Sequence, residues 1–364
     1  MSADTVTHDI RMLAAVRHAF RRRLLVVTAA LAAILVVLAV LALMLGDRIV
    51  APADVVAALF GQGSGGDRFV VLGLRLPRLT LGLLVGACFG LAGAVFQSLL
   101  RNPLASPDII GISQGASAAA VGAILLLGLS GIAVSFAAFG GAVLVAAVIT
   151  LLAGGFGRVG SGRGGGAGGS GGAAGSRFVL IGIALAFLAQ ALIGYLLTRS
   201  DVRDAQSALV WLIGSIGTVQ PAELIVTAVG ALVLTVALAV LAPRLRMLQL
   251  GDEAAVGLGV RVTSTRLLLT LVGVGFAAVA TAAAGPVAFV AFVSAPIARR
   301  LLGGLGPALV TSALVGAVVV TGADIVAQHA FAGLQAPVGI VTGIIGAPVL
   351  LLLLARGNRT GASA

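Results

Sequence analysis

The chain has 364 residues, of which 60% are hydrophobic and 10% are charged, and its mean hydropathy is +1.18. Roughly a quarter of the residues in a soluble domain are charged, so this composition argues against a soluble enzyme, a disulfide scaffold and a disordered chain. It indicates a protein dissolved mainly in lipid. The net charge is +11 and all 23 basic residues are arginine. Because these arginines stand at the ends of apolar runs, we interpret the charge as membrane topology rather than nucleic-acid binding.

The absence of lysine excludes two kinds of chemistry. A P-loop needs a Gly-Lys-Ser/Thr sequence and a Schiff base needs a lysine amine, so the chain neither binds ATP in the P-loop manner nor forms such an adduct. The single Cys88 cannot form an intrachain disulfide or a cysteine metal cluster. We expect no cofactor.

Apolar runs long enough to cross a bilayer as helices recur along the whole chain. We predict an all-α polytopic membrane protein with about ten transmembrane spans, at approximately 24–45, 76–99, 110–129, 134–152, 178–197, 222–241, 267–284, 287–298, 308–326 and 338–354. A polar external segment with a short helix is expected at 46–71, and a short apolar piece after Trp211. The eighth and ninth spans have the least certain limits because Pro286, Pro296 and Pro307 interrupt that region.

The arginine distribution predicts that both chain termini are cytoplasmic. With ten spans and a cytoplasmic N-terminus, 17 arginines fall inside and 6 outside, as the positive-inside rule requires. The predicted organisation is a basic tail (1–23), a membrane domain (24–356) and a second tail (357–364). The membrane domain contains a flexible glycine-rich loop (154–176) and a cytoplasmic loop (243–266). The sequences that open spans two and seven, after Arg78 and Arg266, form a weak inverted repeat of the kind found in transporters.

Two spans carry small residues at four-residue spacing, which lets helices approach closely. We favour ordinary helix packing for both faces; the alternative is a pathway or a subunit interface. The residues are Gly82, Gly86, Gly90 and Gly93 in the second span and Gly339, Gly343 and Ala347 in the last.

A polar break separates the second and third spans, from Arg101-Asn102-Pro103 to Pro107-Asp108 and on to Ser113 and Gly115. Irregular backbone at membrane depth is tolerated only inside protein or beside a water-filled cavity. A cavity lining and a tight cytoplasmic turn are therefore both open at this stage.

The loop after the sixth span contains Leu250-Gly251-Asp252-Glu253-Ala254 and ends at Leu258-Gly259. Acidic residues favour a helix N-terminus and glycine a C-terminus, so we predict a short, exposed, partly apolar cytoplasmic helix. It either rests on the membrane or fills a partner's groove.

No catalytic set is evident. His8, His18 and His329 are too far apart in the predicted topology to meet. Asp324 lies in an apolar span, where an ionisable residue is a functional candidate, although near a helix end it can also reach interfacial water.

Taken together, these motifs resemble the permease subunits of ATP-driven importers for iron–siderophores, haem and cobalamin. The likeness covers roughly residues 20 to 357. It is carried by four ordered blocks: Arg75-Leu-Pro-Arg78 with Gln97 and Asn102-Pro103-Leu104-Ala105; Pro107-Asp108-Ile-Ile-Gly111-Ile-Ser113 through Gly115-Ala116; Leu250-Gly251-Asp252-Glu253 to Leu258-Gly259; and Ala323-Asp324-Ile-Val with Pro337-Val-Gly339-Ile-Val-Thr342-Gly343-Ile-Ile-Gly346-Ala347-Pro348.

The resemblance implies specific partners and roles. Such permeases pair, as identical or paralogous subunits, around one pathway in the bacterial cytoplasmic membrane. They bind two cytoplasmic ATPase subunits and receive ligand from an extracytoplasmic binding protein. By resemblance, Arg75 and Arg78 would dock the binding protein, and the segment with Leu250, Gly251, Asp252, Glu253, Ala254 and Leu258 would seat on the ATPase. Spans five and ten would line the pathway, and the expected pathway or gating residues are Gln97, Asn102, Pro103, Ser113, Gly115, Gly339 and Gly343.

The chain departs from the family pattern at three places. Ala295-Pro296 stands where members often have Pro-His, Gln328 stands where a further docking arginine is common, and the glycine-rich loop is an insertion. The sequence from Phe289 to Arg300 is most similar to that of the ferric-siderophore members of the family. The alternatives are a haem or cobalamin permease, a stand-alone secondary transporter, and a structural subunit without a pathway.

Overall fold

The computed structural model describes residues 3–46, 48–152, 170–217, 219–304, 306–330 and 336–361, and these residues form helices, turns and bends without a strand. The helices are α1 (Ala3–Met44), α2 (Pro52–Leu59), α3 (Gly65–Arg68), α4 (Leu76–Leu99), α5 (Ile112–Leu127), α6 (Ile132–Leu152), α7 (Ser170–Arg199), α8 (Val202–Ile213), α9 (Pro221–Gln249), α10 (Asp252–Gly257), α11 (Val262–Ala284), α12 (Val290–Leu302), α13 (Leu309–His329) and α14 (Val338–Gly361).

Seven stretches of the described helices are long and apolar enough to cross a bilayer, and 112–127 and 338–352 are shorter apolar helices. These elements coincide with nine of the ten predicted spans. The remaining one, α12, has 13 residues. At 1.5 Å per residue it is about 20 Å long, less than the roughly 30 Å of a hydrocarbon core. The described part of the chain is therefore all-helical, and the protein is a multi-pass membrane protein.

The segment before α4 is more helical than the sequence indicated. The expected short helix is present as α2, but α3 then continues through a π-helical turn (Phe69–Arg75) directly into α4. Together they form one helical stretch, Gly65–Leu99. Val71 is buried in one cluster with Leu43 of α1 and Leu79 of α4, and this packing holds the turn in place. Asp67 and Arg68, two of the charges that suggested a loop, lie on α3.

Two other boundaries also shift. Helix α9 continues past Pro243 to Gln249, because Leu245 and Leu248 beyond the proline are buried and hold the last turns in place. The predicted cytoplasmic loop is thus shorter than 243–266. Helix α7 begins at Ser170, so residues 170–176 of the predicted glycine-rich loop are helical, while 154–169 lie outside the described residues.

Helix α4 lies at the centre of the bundle, packed against α9, α11, α12 and α13. A Cβ atom on Gly86 or Gly90 would collide with the backbone of Gly316 or Ser312 in α13, and one on Gly93 would collide with Ala291 in α12. This confirms close helix packing along that face. In α14, Gly339 lies against the carbonyl of Ile213, whereas Gly343 faces open space.

Candidate functional site

Arg75 lies at the junction between the π-helical turn and α4. Its Nη1 donates to the carbonyls of Leu43 at 2.7 Å and Met44 at 3.0 Å, and its Nη2 donates to the carbonyl of Arg48. The last carbonyls of a helix have no intrahelical partner. Arg75 therefore caps the C-terminus of α1 and ties it to the start of α4.

Arg78 forms a two-pronged ion pair with Asp324 of α13. Nη2 is 2.9 Å from Oδ1, and Nε is 3.1 Å from Oδ2. The Asp324 side chain is 9% exposed and that of Arg78 22%. One turn further along, Gln328 Nε2 donates to Asp324 Oδ2 at 2.7 Å. Gln328 stands where the resemblance led us to expect a further docking arginine. In this chain it is a hydrogen-bond partner of the Asp324 carboxylate.

The polar break forms an exposed turn and then contributes side chains to a cavity; the side of the membrane on which the turn lies stays a prediction. Residues 101–104 are exposed and form a turn, in which Arg101 has a φ of 49° and the Leu104 amide donates to Asn102 Oδ1 at 2.9 Å. Ser106 and Asp108 then turn inward to line a cavity with Ser113. Pro103 belongs to the exposed turn.

Asp108 is held by two hydroxyl groups inside this break. Ser113 Oγ donates to Asp108 Oδ1 and Ser106 Oγ to Oδ2, while the Asp108 amide donates to Ser106 Oγ at 3.2 Å. Burial raises the pKa of Asp108, and the hydrogen bonds from Ser113 and Ser106 partly offset this rise. The arrangement fixes the N-terminal end of α5 and places a carboxyl group at the cavity wall.

The cavity has a volume of about 640 Å³, within the range of small-molecule sites. Its wall contains polar, aliphatic and aromatic side chains. Residues of α5, α7, α8, α12 and α14 contribute to it. Lining residues include Asp108, Gln114, Ser117, Gln190, Phe289 and Leu350. Among the sequence-predicted pathway residues, Ser113 lines it. Gly115 instead packs against Val145 and Gly141 of α6.

Gln97 is buried near the C-terminal end of α4, one turn after Gly93, and like Gly93 it contacts α12. Its Nε2 donates to the Phe292 carbonyl at 3.0 Å, and its Oε1 accepts from Arg299. Gln97 therefore positions α12, which supplies Phe292 to the cavity wall beside Phe289, the residue that precedes α12.

The predicted short helix is present as α10, with Asp252 and Glu253 in its first turn. Leu250, Val256 and Leu258 are each more than half exposed, and Ala255 is buried. Oδ1 of Asp252 accepts from Arg266 Nη2 at 2.7 Å and from Arg101 Nη2 at 3.3 Å. The helix is thereby joined both to α11 and to the polar break.

The structure brings some predicted site residues together and separates others. The α10 segment and the polar break meet through Asp252 and Arg101, whereas Arg75 and Arg78 lie near the opposite end of α4. Sequence reasoning missed the Gln97–Arg299 and Arg101–Asp252 contacts, since each joins residues more than 140 positions apart. No group of three or more His, Cys, Asp or Glu side chains in the described part of the chain has a metal-binding arrangement.

An all-helical bundle with exposed apolar faces and a cavity of mixed polar and apolar lining is an architecture that suits a membrane transport protein. Residues 34–356 match the FecCD transport family, and the chain belongs to this family.

Relatives align over nearly the whole chain. The ferric enterobactin transport system permease protein FepG of Escherichia coli is 36% identical over 93% of this chain and 98% of its own. The Fe(3+)-citrate import system permease protein YfmE of Bacillus subtilis is 34% identical over 92% and 96%. A solved structure described as an inward-facing conformation of a metal-chelate type ABC transporter is 27% identical. It has a TM-score of 0.77 and covers 90% of this chain and 98% of that one.

Proposed function

We propose that this chain is the transmembrane permease subunit of an ATP-driven ABC importer that passes a ferric siderophore through the membrane by alternating access. The observation that carries the proposal is the end-to-end similarity to iron-chelate permeases, with FepG 36% identical over 93% of the chain. The cavity fits this function, because polar and apolar groups share its wall.

The proposed arrangement in the membrane follows the arginine distribution. In this proposal ten spans, of which α12 is a short eighth, cross the cytoplasmic membrane of a bacterium, and both termini lie in the cytoplasm. This topology leaves 17 arginines inside and 6 outside, in agreement with the positive-inside rule. The tails at 1–23 and 357–364 and the inverted repeat are part of this proposal.

The proposed assembly contains a second permease subunit, identical or paralogous, two ATPase subunits and an extracytoplasmic binding protein. The exposed apolar side chains of α10 support a seat on the ATPase, since they are available for burial at an interface. ATP hydrolysis is assigned to the partner because the chain has no lysine for a P-loop.

The proposed pathway runs along the cavity between α5, α7 and α14. Ser113 lies on its wall. The other proposed pathway residues belong to the structure around the cavity. Gln97 and Gly115 pack against α12 and α6, and Asn102 and Pro103 form the exposed turn of the break. Gly339 and Gly343 belong to α14, which contributes to the cavity wall.

A stand-alone secondary transporter needs a carboxylate available to a coupling ion. Asp324 of α13 is bound to Arg78 and Gln328, which argues against that role for Asp324. The cavity-wall carboxyl group of Asp108 is held by Ser106 and Ser113. Co-purification in mild detergent separates the two functions. A stable complex with an ATPase subunit supports the importer, whereas ion-driven uptake by this chain alone contradicts it. Uptake of haem or cobalamin, with no uptake of a ferric siderophore, would show that the chain is a haem or cobalamin permease instead.

Docking of the binding protein at Arg75 and Arg78 is also a proposal. Reversing both charges is expected to weaken docking and leave ATPase assembly intact, but it also disturbs the cap of α1 and the Asp324 pair. The sharper variant is the exchange Arg78→Asp/Asp324→Arg, which moves the positive charge and retains an ion pair. Reduced binding-protein affinity with normal ATPase assembly supports docking by Arg78, and unchanged affinity contradicts it.

A further inference from the structure

The middle of α1, directly before its apolar run, carries a set of exposed arginines. Arg17, Arg21, Arg22 and Arg23 directly precede its apolar run, and their side chains are exposed. Helix α12 ends with Arg299 and Arg300 in its last turn. Arg23 Nε donates to the carbonyl of Leu301 at 2.8 Å, which fixes this part of α1 against the end of α12.

Apolar contacts hold this arrangement in place. Phe20 and Leu24 of α1 belong to one cluster with Ala298 and Leu302 of α12, both buried, and with Val315 of α13. The arginines are therefore presented by packed helices, and their relative positions are part of the fold.

The exposed arginines lack acidic partners among the described side chains. The ion pairs there involve Arg48, Arg78, Arg101 and Arg266. We call Arg17, Arg21, Arg22, Arg23 and Arg300 the arginine patch. Arg21, Arg22 and Arg23 are consecutive in α1, and the hydrogen bond from Arg23 to Leu301 brings the neighbouring Arg300 to this turn of α1. Because like charges repel, an anion that bridges them is bound favourably.

The position of the patch along α1 identifies the layer in which it lies. The apolar run from Leu24 to Leu45 is about 33 Å long at 1.5 Å per residue, which matches a hydrocarbon core of roughly 30 Å. Its surface is turned outward, with Leu25, Val26 and Val36 each more than 60% exposed. Arg21 to Arg23 therefore fall in the headgroup layer, beside lipid.

We propose that the arginine patch binds the phosphate groups of an anionic phospholipid. Guanidinium groups bind phosphate with two parallel hydrogen bonds, and basic pockets between transmembrane helices are typical cardiolipin-headgroup sites. Two helices contribute cations here, which favours a lipid with two phosphates over a zwitterionic one. An acidic protein surface is disfavoured because the patch adjoins a lipid-facing helix. The proposal requires only that α1 spans the membrane and is independent of transport.

The test uses the purified full-length chain in nanodiscs of phosphatidylcholine with a minor fraction of cardiolipin. Native mass spectrometry then measures the lipid that each protein retains. The wild-type chain is expected to enrich cardiolipin, and Arg22→Gln/Arg300→Gln is expected to reduce the enrichment on the order of tenfold, since each cation near the surface contributes to anionic-lipid binding. High salt should weaken the enrichment in the wild-type chain. These two substitutions leave the Arg23–Leu301 hydrogen bond intact.

The matched control is Arg68→Gln/Arg203→Gln, which removes two exposed arginines placed elsewhere in the chain and is expected to retain cardiolipin at the wild-type level. The single variants Arg22→Gln and Arg300→Gln give the same comparison if the double variant does not fold. The proposal is overturned by equal retention of cardiolipin and phosphatidylcholine in the wild type, by enrichment that survives loss of the patch arginines, or by an equal loss in the control.

Discussion

At the residue scale, the contact between Arg78 and Asp324 joins the first turn of α4 to the last turns of α13. The pair is partly buried, with the carboxylate 9% exposed. Removing one partner of such a pair leaves the other charge poorly solvated, and this costs more than the intact pair contributes. The pair is thus a structural contact whatever its role in docking.

Asp324→Asn is expected to destabilise the chain by about 1–3 kcal/mol, because Arg78 loses its counter-charge. Thermal unfolding in detergent measures the effect as a lower midpoint. The variant Arg78→Gln/Asp324→Asn should lose less than the two single variants added together, since neither charge is then left alone. Strictly additive losses would show that the two side chains do not interact. Arg68→Gln, an exposed arginine near the same end, is the control.

The sequence identified Arg78 and Asp324 separately but not as a pair. Arg78 stood out by its motif and Asp324 by its charge in an apolar span. Their contact depends on the crossing of α4 and α13, which neither local pattern encodes. Gln97 and Arg299 illustrate the same limit, because their hydrogen bond joins two spans that are distant in the chain.

At the element scale, the glycine face of α4 allows α13 to pack against its backbone. Gly90 faces the Ser312 carbonyl so closely that a methyl group would displace one helix. The four-residue glycine spacing predicted this kind of contact, but not which helix would make it.

Gly90→Ala is expected to lower the yield of folded protein and its unfolding midpoint, although alanine is the better helix former by about 1 kcal/mol. The overlap with backbone atoms of α13 outweighs that gain, since backbone cannot move aside like a flexible side chain. Gly343→Ala is the matched control, because nothing lies within 4 Å of its added methyl group. Equal stability of the two variants would show that α4 and α13 are not closely packed.

Helix α10 and the polar break are joined by Asp252 and Arg101. If α10 contacts the ATPase, Asp252→Asn or Arg101→Gln should lower the amount of siderophore transported per ATP hydrolysed by the reconstituted complex, several-fold, while the ATPase subunits remain bound. Asp204→Asn is the control: it removes an exposed acid of α8, away from α10, which forms no ion pair with the described side chains. A normal ratio in the Asp252 and Arg101 variants would show that this contact does not link the ATPase to the break.

At the scale of the whole molecule, hydropathy predicted most of the membrane helices, because apolar length is a local property of the sequence. The arginine distribution predicts the orientation of the termini, which stays a prediction. The structure differs from the predicted helix limits where packing against neighbouring helices determines where a helix ends. Buried leucines carry α9 past Pro243, and α3 runs on into α4. The cavity was not predictable as a shape, since five helices contribute to its wall.

The central claim is that this chain forms the pathway for a ferric siderophore and depends on partner subunits for energy. The most direct measurement is uptake of radiolabelled ferric siderophores into proteoliposomes that contain the chain, its partner permease and the ATPase subunits, with the loaded binding protein outside. We predict uptake that requires both ATP and the binding protein, and none by this chain alone. Uptake by the chain alone, driven by an ion gradient and unaffected by ATP, would contradict the account.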